Sequence, residues 1–359
     1  MTNQDTTRTY RIAALPGDGI GHEVLPAATR VLDALGTKHG LDFRWEHQEW
    51  GCEYYRRTGS MMPEDALSIL APTDAILLGA VGAPGVPDHV SLWGMLIPIR
   101  REFDQYVNLR PARLLPRVPS PLVPERVAGL DLVVVRENVE GEYSRIGGRL
   151  YGGTEHEIAV QESVFTRRGV SRVMDYAFDL AARRRGSLAS ATKSNGIVYT
   201  MPFWDEVFAD RAAAHPDVTT SQYHIDALAA LFALDPTRFD VVVASNLFGD
   251  ILTDLAAAVA GSIGVAPSAN INPERRFPSM FEPVHGSAPD IAGEGIANPV
   301  GQLWSSVLML THLEETEASA DLMSAIEQVL DDGVMTPDIG GTASTEDVTT
   351  AVIERLGAR

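Results

Sequence analysis

Six residues, Phe239-Asp240-Val241-Val242-Val243-Ala244, form an almost wholly apolar run that reads as a buried strand. Ser245-Asn246-Leu247-Phe248-Gly249-Asp250-Ile251-Leu252-Thr253-Asp254 follows at once, with helical spacing. A buried strand feeding straight into a helix commits the chain to a layered α/β architecture. On that helix Asp250 and Asp254 stand one turn apart on one face, close enough to share a partner. Leu247, Phe248, Ile251, Leu252 and Leu255 make most of the same helix apolar, so it is expected to be largely buried. Buried acids need a positive partner, and a hard divalent cation such as Mg²⁺ or Mn²⁺ is the usual one for oxygen donors. Two unrelated acids on a solvated face are the alternative.

The same alternation recurs along the chain. Strands are expected at Tyr10–Leu15, Ala75–Leu78, Asp131–Val135 and Leu188–Thr192. Helices are expected at Ile20–Leu35, Val170–Arg185, Met201–Ala214, Gln302–Leu313 and Ser319–Leu330. The length of 359 residues suggests two domains. Residues 146–166 break the pattern, being glycine-rich and then alternating; they read as an arm that pairs with another subunit, or as an ordinary surface hairpin.

Composition narrows the partners. A net charge of −19 argues against nucleic acid and anionic membranes. No run of about 18 apolar residues suggests a membrane span, and the polar stretch Met1 to Arg11 does not resemble a signal peptide. Cys52 stands alone, which excludes an intrachain disulfide and fits a cytoplasmic location. An anionic ligand would therefore need locally concentrated basic residues.

Arg100, Arg110 and Arg136 are the candidates for that task. Arg100 lies on a helix-like run, Leu96 to Tyr106, in which Pro98 is unexpected. Arg110 precedes a proline and is therefore extended. Arg136 ends a strand, where open α/β sheets bind ligands. Each could be a surface ion pair; together they suggest a dicarboxylate pocket. Tyr143 and Lys193 are candidate proton carriers, or a half-buried ring and a surface lysine. Asp226 is a third metal carboxylate, or an acid that favours the N-terminus of its helix.

Two glycine-containing loops complete the set. Pro16-Gly17-Asp18-Gly19-Ile20-Gly21 turns a strand into a helix, but its glycine spacing is not G-x-G-x-x-G. It reads as a tight turn near a ligand. In Glu282-Pro283-Val284-His285-Gly286-Ser287-Ala288-Pro289-Asp290-Ile291-Ala292-Gly293, His285 and Ser287 can donate hydrogen bonds and Gly286 permits close approach. Asp290 could accept the two hydroxyls of a ribose and repel a 2′-phosphate. A structural loop bonded to its own backbone is the alternative.

In this order and combination, these segments resemble the metal-dependent β-decarboxylating dehydrogenases, the family of isopropylmalate, isocitrate and tartrate/D-malate dehydrogenases. The resemblance runs from Leu15-Pro16-Gly17-Asp18-Gly19-Ile20-Gly21 to Gly340-Gly341-Thr342-Ala343 and includes Asn108-Leu109-Arg110-Pro111 and Arg136-Glu137-Asn138. It implies an α/β/α sandwich with a large mixed sheet and two domains, not a Rossmann fold. The domains would be residues 1–104 with 262–359, and 105–261, with the arm at 146–166. It implies Arg100, Arg110 and Arg136 as substrate-carboxylate ligands, with Trp93 and Leu96 lining the substrate. It implies Asp250 and Asp254 as metal ligands, joined by Asp226 from a neighbouring subunit. Lys193 would be the general base and Tyr143 the acid that protonates the product enol. Ile20, His285, Gly286, Ser287, Ala288, Asp290, Ile291 and Asn298 would hold NAD. Mn²⁺ or Mg²⁺ is implied, with a monovalent cation such as K⁺ left open. The active site would lie between the domains of a homodimer and use both subunits, with further assembly left open.

The expected reaction is oxidation of a 2-hydroxy diacid followed by loss of its β-carboxylate as CO₂. Pro87 to Arg100, Glu53-Tyr54-Tyr55, Arg101 to Tyr106 and Glu162 to Thr166 most resemble the tartrate/D-malate branch. Trp93 would fill space there. Leu96 and Ile97 keep 3-isopropylmalate as the alternative substrate. A metal-dependent hydrolase using the same acids, and a silent dicarboxylate binder, are the readings from other classes.

Overall fold

The computed structural model describes residues 7–357. The first six residues of the polar stretch Met1 to Arg11 lie outside the described residues. The chain divides into two units, Met1–Gln105 with Arg113–Pro121 and Ala257–Arg359, and Tyr106–Ala112 with Leu122–Ala256.

In the first unit the strands are β1 (Arg8–Gly17), β2 (Leu41–His47) and β3 (Ala75–Ala80). The second unit supplies β4 (Val107–Arg113), β5 (Asp131–Glu137), β6 (Gly147–Leu150), β7 (Ile158–Gln161), β8 (Ser187–Thr192), β9 (Thr219–His224) and β10 (Val241–Ala244). The chain then returns to the first unit with β11 (Pro267–Ile271) and β12 (Ser279–Pro283).

The first unit's strands run in the order β2-β1-β3-β12-β11. All neighbours are parallel except β11, which is antiparallel to β12, so the sheet is mixed. Strand β3 is Ala-Ile-Leu-Leu-Gly-Ala and buried throughout, as a strand covered on both faces must be. Helix α1 (Gly21–His39) packs on this sheet through Val24, Leu25, Ala28, Val31, Leu32 and Leu35, a 3.6-residue stripe. It ends at Gly40, which has the left-handed φ of 66° that a β-carbon would disfavour.

The segment before Arg100 is not one regular helix. Asp88–Ser91 is helical, Leu92–Leu96 is a π turn, and α2 (Ile97–Glu102) follows, with Pro98 in its first turn. The expected run to Tyr106 therefore stops at Glu102. A first-turn position leaves little for the missing proline N–H to lose.

In the second unit the order is β4-β5-β10-β8-β9. Pairings β5–β10, β10–β8 and β8–β9 are parallel. Helix α3 (Arg167–Arg183) covers the sheet with Val170, Val173, Met174, Ala177, Phe178 and Ala181. Thr166 caps it by accepting a hydrogen bond from Gly169 N–H. Helices α4 (Thr200–Ala214), α5 (Ile225–Leu234) and α6 (Asn246–Val259) follow their strands. The rest of the first unit's helices are α7 (Val300–His312), α8 (Thr316–Asp331) and α9 (Thr345–Gly357).

Strands β6 and β7 form an antiparallel ribbon of their own, exposed at every strand position. Among the described residues no helix is long and apolar enough to cross a membrane.

Candidate active site

The carboxylate pair on α6 belongs to a cluster held wholly within the second unit. The N-terminus of α6 follows β10 directly, which places Asp250 one turn into the helix and Asp254 one turn beyond it. Contrary to the expectation of a largely buried helix, Leu247 and Ile251 are exposed while Phe248 and Leu252 are buried. The acids thus flank a face that is apolar on one side and open on the other.

Their positive partners within the chain are arginines. Arg110 Nη1 lies 3.6 Å from Asp250 Oδ1 and 3.6 Å from Asp254 Oδ1, and it donates to Thr253 Oγ1 at 2.7 Å. Arg136 Nη1 donates to Asp250 Oδ1, and its Nη2 donates to Asn246 Oδ1 at 2.7 Å. Tyr143 donates its hydroxyl hydrogen to Asp250 Oδ2 at 2.7 Å, and its ring lies beneath the Arg136 guanidinium, 5.6 Å to the centroid. Arg110, Arg136, Tyr143, Asp250 and Asp254 therefore meet in one cluster. Burial pushes the Asp254 carboxyl up; Arg110 opposes that shift and the charge of Asp250 adds to it.

Gly249 makes this packing possible. A β-carbon there would lie 2.6 Å from Arg136 Cβ and Cγ, so the arginine stem could not lie along the helix.

Lys193, just beyond β8, donates to Asp226 Oδ1 at 2.6 Å. Asp226 sits in the first turn of α5, and its carboxyl is held below the usual range by Lys193 and then by its own backbone N–H. Among the described residues no group of three or more His, Cys, Asp and Glu could hold a metal ion. Within one chain, Asp250 with Asp254 and Lys193 with Asp226 are thus separate pairs.

The remaining candidates lie in the first unit. Arg100 is buried on α2 and donates from Nη2 to Glu282 Oε1 at 2.7 Å; the same oxygen accepts from Asn270 Nδ2 at 2.7 Å. Its guanidinium is thus matched by a carboxylate that the sequence did not single out as its partner. Trp93 stands in the π turn under the Arg101 guanidinium, 5.2 Å from the ring centroid. Leu96 packs on the cluster of Met61, Met95 and Ile99.

The glycine turn after β1 is close-packed against its own unit. A β-carbon on Gly19 would lie 2.0 Å from Ser287 O, and Ile20 N–H donates to that carbonyl at 2.9 Å. Asp18 is buried and accepts from Cys52 N–H at 2.8 Å and Gly82 N–H at 2.9 Å. This fixes Ile20 at the edge of a cavity of about 500 Å³ lined also by His285, Ala288, Ile291 and Asn298. His285 Nε2 is buried without a hydrogen-bond partner, and burial pulls the imidazole pKa down, so the ring favours the neutral form. Asn298 Oδ1 accepts from Val300 N–H at 3.0 Å, and its Nδ2 donates to Asp338 Oδ2 at 3.0 Å. Gly286 and Asp290 are exposed and Ser287 buried, and none of the three is among the lining residues.

Ser262, Ile263, Gly264, Ile296, Pro337 and Asp338 also line the cavity, and the sequence reading had not marked them. Gly261 and Gly264, and the turn at Thr336-Pro337-Asp338, were the available signals, but only tertiary contact links them. A mostly apolar hollow with one fixed side-chain amide, Asn298, and an unpartnered imidazole nitrogen suits a flat heteroaromatic ring.

Comparison with known proteins gives concordant matches. The family model described as isocitrate/isopropylmalate dehydrogenase matches residues 11–352. A tartrate dehydrogenase/decarboxylase of Pseudomonas putida is 56% identical over 357 residues, covering 97% of this chain and 98% of that protein. A D-malate dehydrogenase (decarboxylating) of Escherichia coli (strain K12) is 55% identical over 353 residues, covering 96% of this chain and 98% of that one. The crystal structure of isocitrate dehydrogenase from Methylococcus capsulatus matches with a TM-score of 0.87 at 32% identity, over 97% of this chain and 99% of that chain. The apo β-decarboxylating dehydrogenase of Thermococcus kodakarensis matches with a TM-score of 0.78 at 34% identity, over 97% and 96%.

Proposed function

Because this chain belongs to the isocitrate/isopropylmalate dehydrogenase family, we propose that it oxidises tartrate or D-malate with NAD and, for D-malate, releases CO₂ to give pyruvate. The observation that carries the choice of substrate is identity above one half, over nearly the full length, with relatives named for those two diacids. β-Decarboxylating dehydrogenation is the reaction class of the family, which sets aside the hydrolase reading of the same acids.

Enzymes of this family generally use NAD(P) and a divalent metal. The donor set here fits a hard cation: Asp250 and Asp254 offer carboxylate oxygens one helical turn apart. We assign Asp226 of a partner subunit as the third carboxylate, and Mn²⁺ or Mg²⁺ as the ion. The cavity at Ile20, His285 and Asn298 fits the adenosine of NAD, and Asp290 is assigned to its ribose. When bound between Asp250, Asp254 and Asp226 of the partner subunit, a divalent metal would supply Lewis-acid polarisation of the substrate oxygen, and NAD would supply the hydride acceptor.

The chain's own groups do the rest. Arg100, Arg110 and Arg136 hold the substrate carboxylates, and Arg110 and Arg136 exchange Asp250 and Asp254 for them in part. Lys193 accepts the C2 hydroxyl proton. Tyr143 returns a proton to C3 after CO₂ leaves, a type of step typically worth about 10²–10⁴ in rate.

We further propose a homodimer with shared sites. Ile197, Val198, Tyr199, Leu234, Leu247 and Ile251 are exposed apolar residues of the second unit, as are Ile146, Leu150, Ile158 and Val160 at the β6–β7 ribbon. An isolated two-stranded ribbon has no core of its own and gains stability by packing on something else.

The test is NADH formation by the purified protein with Mn²⁺ and, side by side, D-malate, L-tartrate, meso-tartrate and 3-isopropylmalate. The highest kcat/KM on D-malate or a tartrate is expected. Preference for 3-isopropylmalate would replace the substrate, and no NADH with any of them would overturn the reading.

A further inference from the structure

Glu142 is a charged group that the reaction leaves without a task, yet both its oxygens are engaged. Oε1 accepts from Ser245 Oγ at 2.7 Å, and Oε2 accepts from Leu247 N–H at 3.1 Å. Those are groups at the start of α6. The first N–H groups of a helix have no partner within it, and a negative charge there is favoured by the helix dipole. Ser245 is fully buried, so its hydroxyl has no ready substitute in water.

The link from Glu142 to the candidate site is covalent. Glu142 immediately precedes Tyr143, whose hydroxyl donates to Asp250 on the same helix. One further bond ties the loop to α6, Asn246 Nδ2 donating to the Glu140 carbonyl at 3.1 Å, and Asn246 Oδ1 accepts from Arg136 Nε at 3.1 Å at the end of β5. Glu142 is the anionic member of this lacing, and it grips the helix ahead of Asp250 while its own backbone carries Tyr143.

We propose that Glu142 is a positioning residue that locks the loop bearing Tyr143 onto the helix bearing Asp250 and Asp254, and thereby sets the affinity of the site for its divalent cation. The proposal rests on the metal reading of those two acids. Glu142 acts through Ser245 and Leu247 at the start of α6, and so fixes where the two carboxylates point. Groups that orient metal ligands in this way typically carry about 10- to 100-fold in metal affinity.

The experiment is direct titration of the intact protein with Mn²⁺ alone, by calorimetry or by electron paramagnetic resonance of the free ion. Glu142→Ala is expected to weaken Mn²⁺ binding by about tenfold or more. Glu142→Gln keeps one oxygen for Leu247 N–H and an amide donor for Ser245 Oγ, and is expected to recover most of the affinity. Glu142→Asp keeps the charge but falls short of Ser245; it gives an intermediate loss and serves if the alanine variant does not fold. Ser344→Ala is the control, because Ser344 accepts from Asp347 N–H at the start of α9, in the other unit. It removes a helix cap of the same kind and leaves Mn²⁺ affinity unchanged if only local positioning matters. Affinity within about twofold of wild type in Glu142→Ala, or an equal loss in Ser344→Ala, overturns the proposal. Absence of Mn²⁺ binding by the wild type would instead overturn the metal reading beneath it.

Discussion

Tyr143 donates its phenolic hydrogen to Asp250 Oδ2 across 2.7 Å, so the residue assigned as proton donor is bonded to a residue assigned as metal ligand. Both stand in one cluster with the Arg136 guanidinium, which lies over the tyrosine ring and reaches the other Asp250 oxygen. Tyr143→Phe separates the two roles. It removes the phenolic proton and leaves Asp250 with its arginine partners. The steady-state rate on D-malate is expected to fall by about 10²–10⁴, while Mn²⁺ binding holds or strengthens. A rapid-mixing trace would show NADH appearing ahead of pyruvate. Equal formation rates for the two products, at the wild-type level, would remove Tyr143 from the proton step.

Asp254→Asn tests the metal pair without removing much structure. Burial already pushes this carboxyl up, and the side chain remains partly exposed, so a neutral isostere is tolerated by the fold. Activity is expected to fall by roughly 10²–10³ or more, as when a group stabilising transition-state charge is lost. Circular dichroism checks the fold and a Mn²⁺ titration checks the site. Wild-type Mn²⁺ affinity in this variant would exclude Asp254 as a ligand.

Gly249→Ala should damage the arginine site through packing alone. The added carbon would lie 2.6 Å from Arg136 Cβ and Cγ, and α6 or the arginine must shift. Overpacking of this kind costs about 1–3 kcal/mol, measurable by urea unfolding. The KM for the diacid is expected to rise in step. An unchanged KM would mean that Arg136 does not hold the substrate.

Glu137 predicts a pH effect on stability. It is fully buried at the end of β5, and burial pushes its carboxyl up to about 7 although Val139 and Glu140 N–H groups oppose the shift. Its folded pKa is raised, so the folded state binds the extra proton between the ordinary value of 4.5 and about 7. Stability from this group is therefore present below pH 4.5 and lost as pH rises through 7. The span corresponds to about 3 kcal/mol. Glu137→Gln stays neutral and is expected to gain on the wild type by that order between pH 4.5 and 8 in urea unfolding. Parallel pH profiles for the two proteins would show that Glu137 is charged in the fold throughout.

Asp290→Lys addresses the cofactor. Asp290 is exposed, so stability should change by less than about 0.5 kcal/mol. The kcat/KM ratio of NAD over NADP is expected to drop by about tenfold or more, because a carboxylate facing ribose hydroxyls repels a 2′-phosphate and a lysine attracts it. An unchanged ratio would free Asp290 from the ribose.

Much of this molecule was legible residue by residue. Apolar runs marked β1, β3, β5, β8 and β10, because a strand covered on both faces has no polar alternation to hide it. The structure lengthens β1, β3, β5 and β8, as β5 continues through Arg136 to Glu137, and shortens the run Phe239–Ala244 to β10 at Val241–Ala244. Helix α3 was legible from its stripe of Val170, Val173 and Ala177, although its cap moves the start to Arg167. Strands β2 and β11 went unmarked, because Leu41–His47 and Pro267–Ile271 mix polar and apolar residues and are strands through their neighbours. The π turn ahead of Pro98 was not legible either, since nothing in Leu92–Leu96 distinguishes it from an ordinary helical turn.

The chain alone determined which residue types stand at strand ends and helix starts: Arg136 at the end of β5, Lys193 after β8, and Asp250 and Asp254 on the helix after β10. Those are short-range facts, set by period, turn chemistry and hydrogen bonds a few residues long. Which charge faces which was decided only by tertiary structure. Arg100 meets Glu282, Arg110 meets Asp250 and Asp254, and Asn298 meets Asp338, across separations that no local pattern encodes. The physical reason is that many pairings of opposite charges satisfy the same sequence, and the packing of strands and helices leaves room for one.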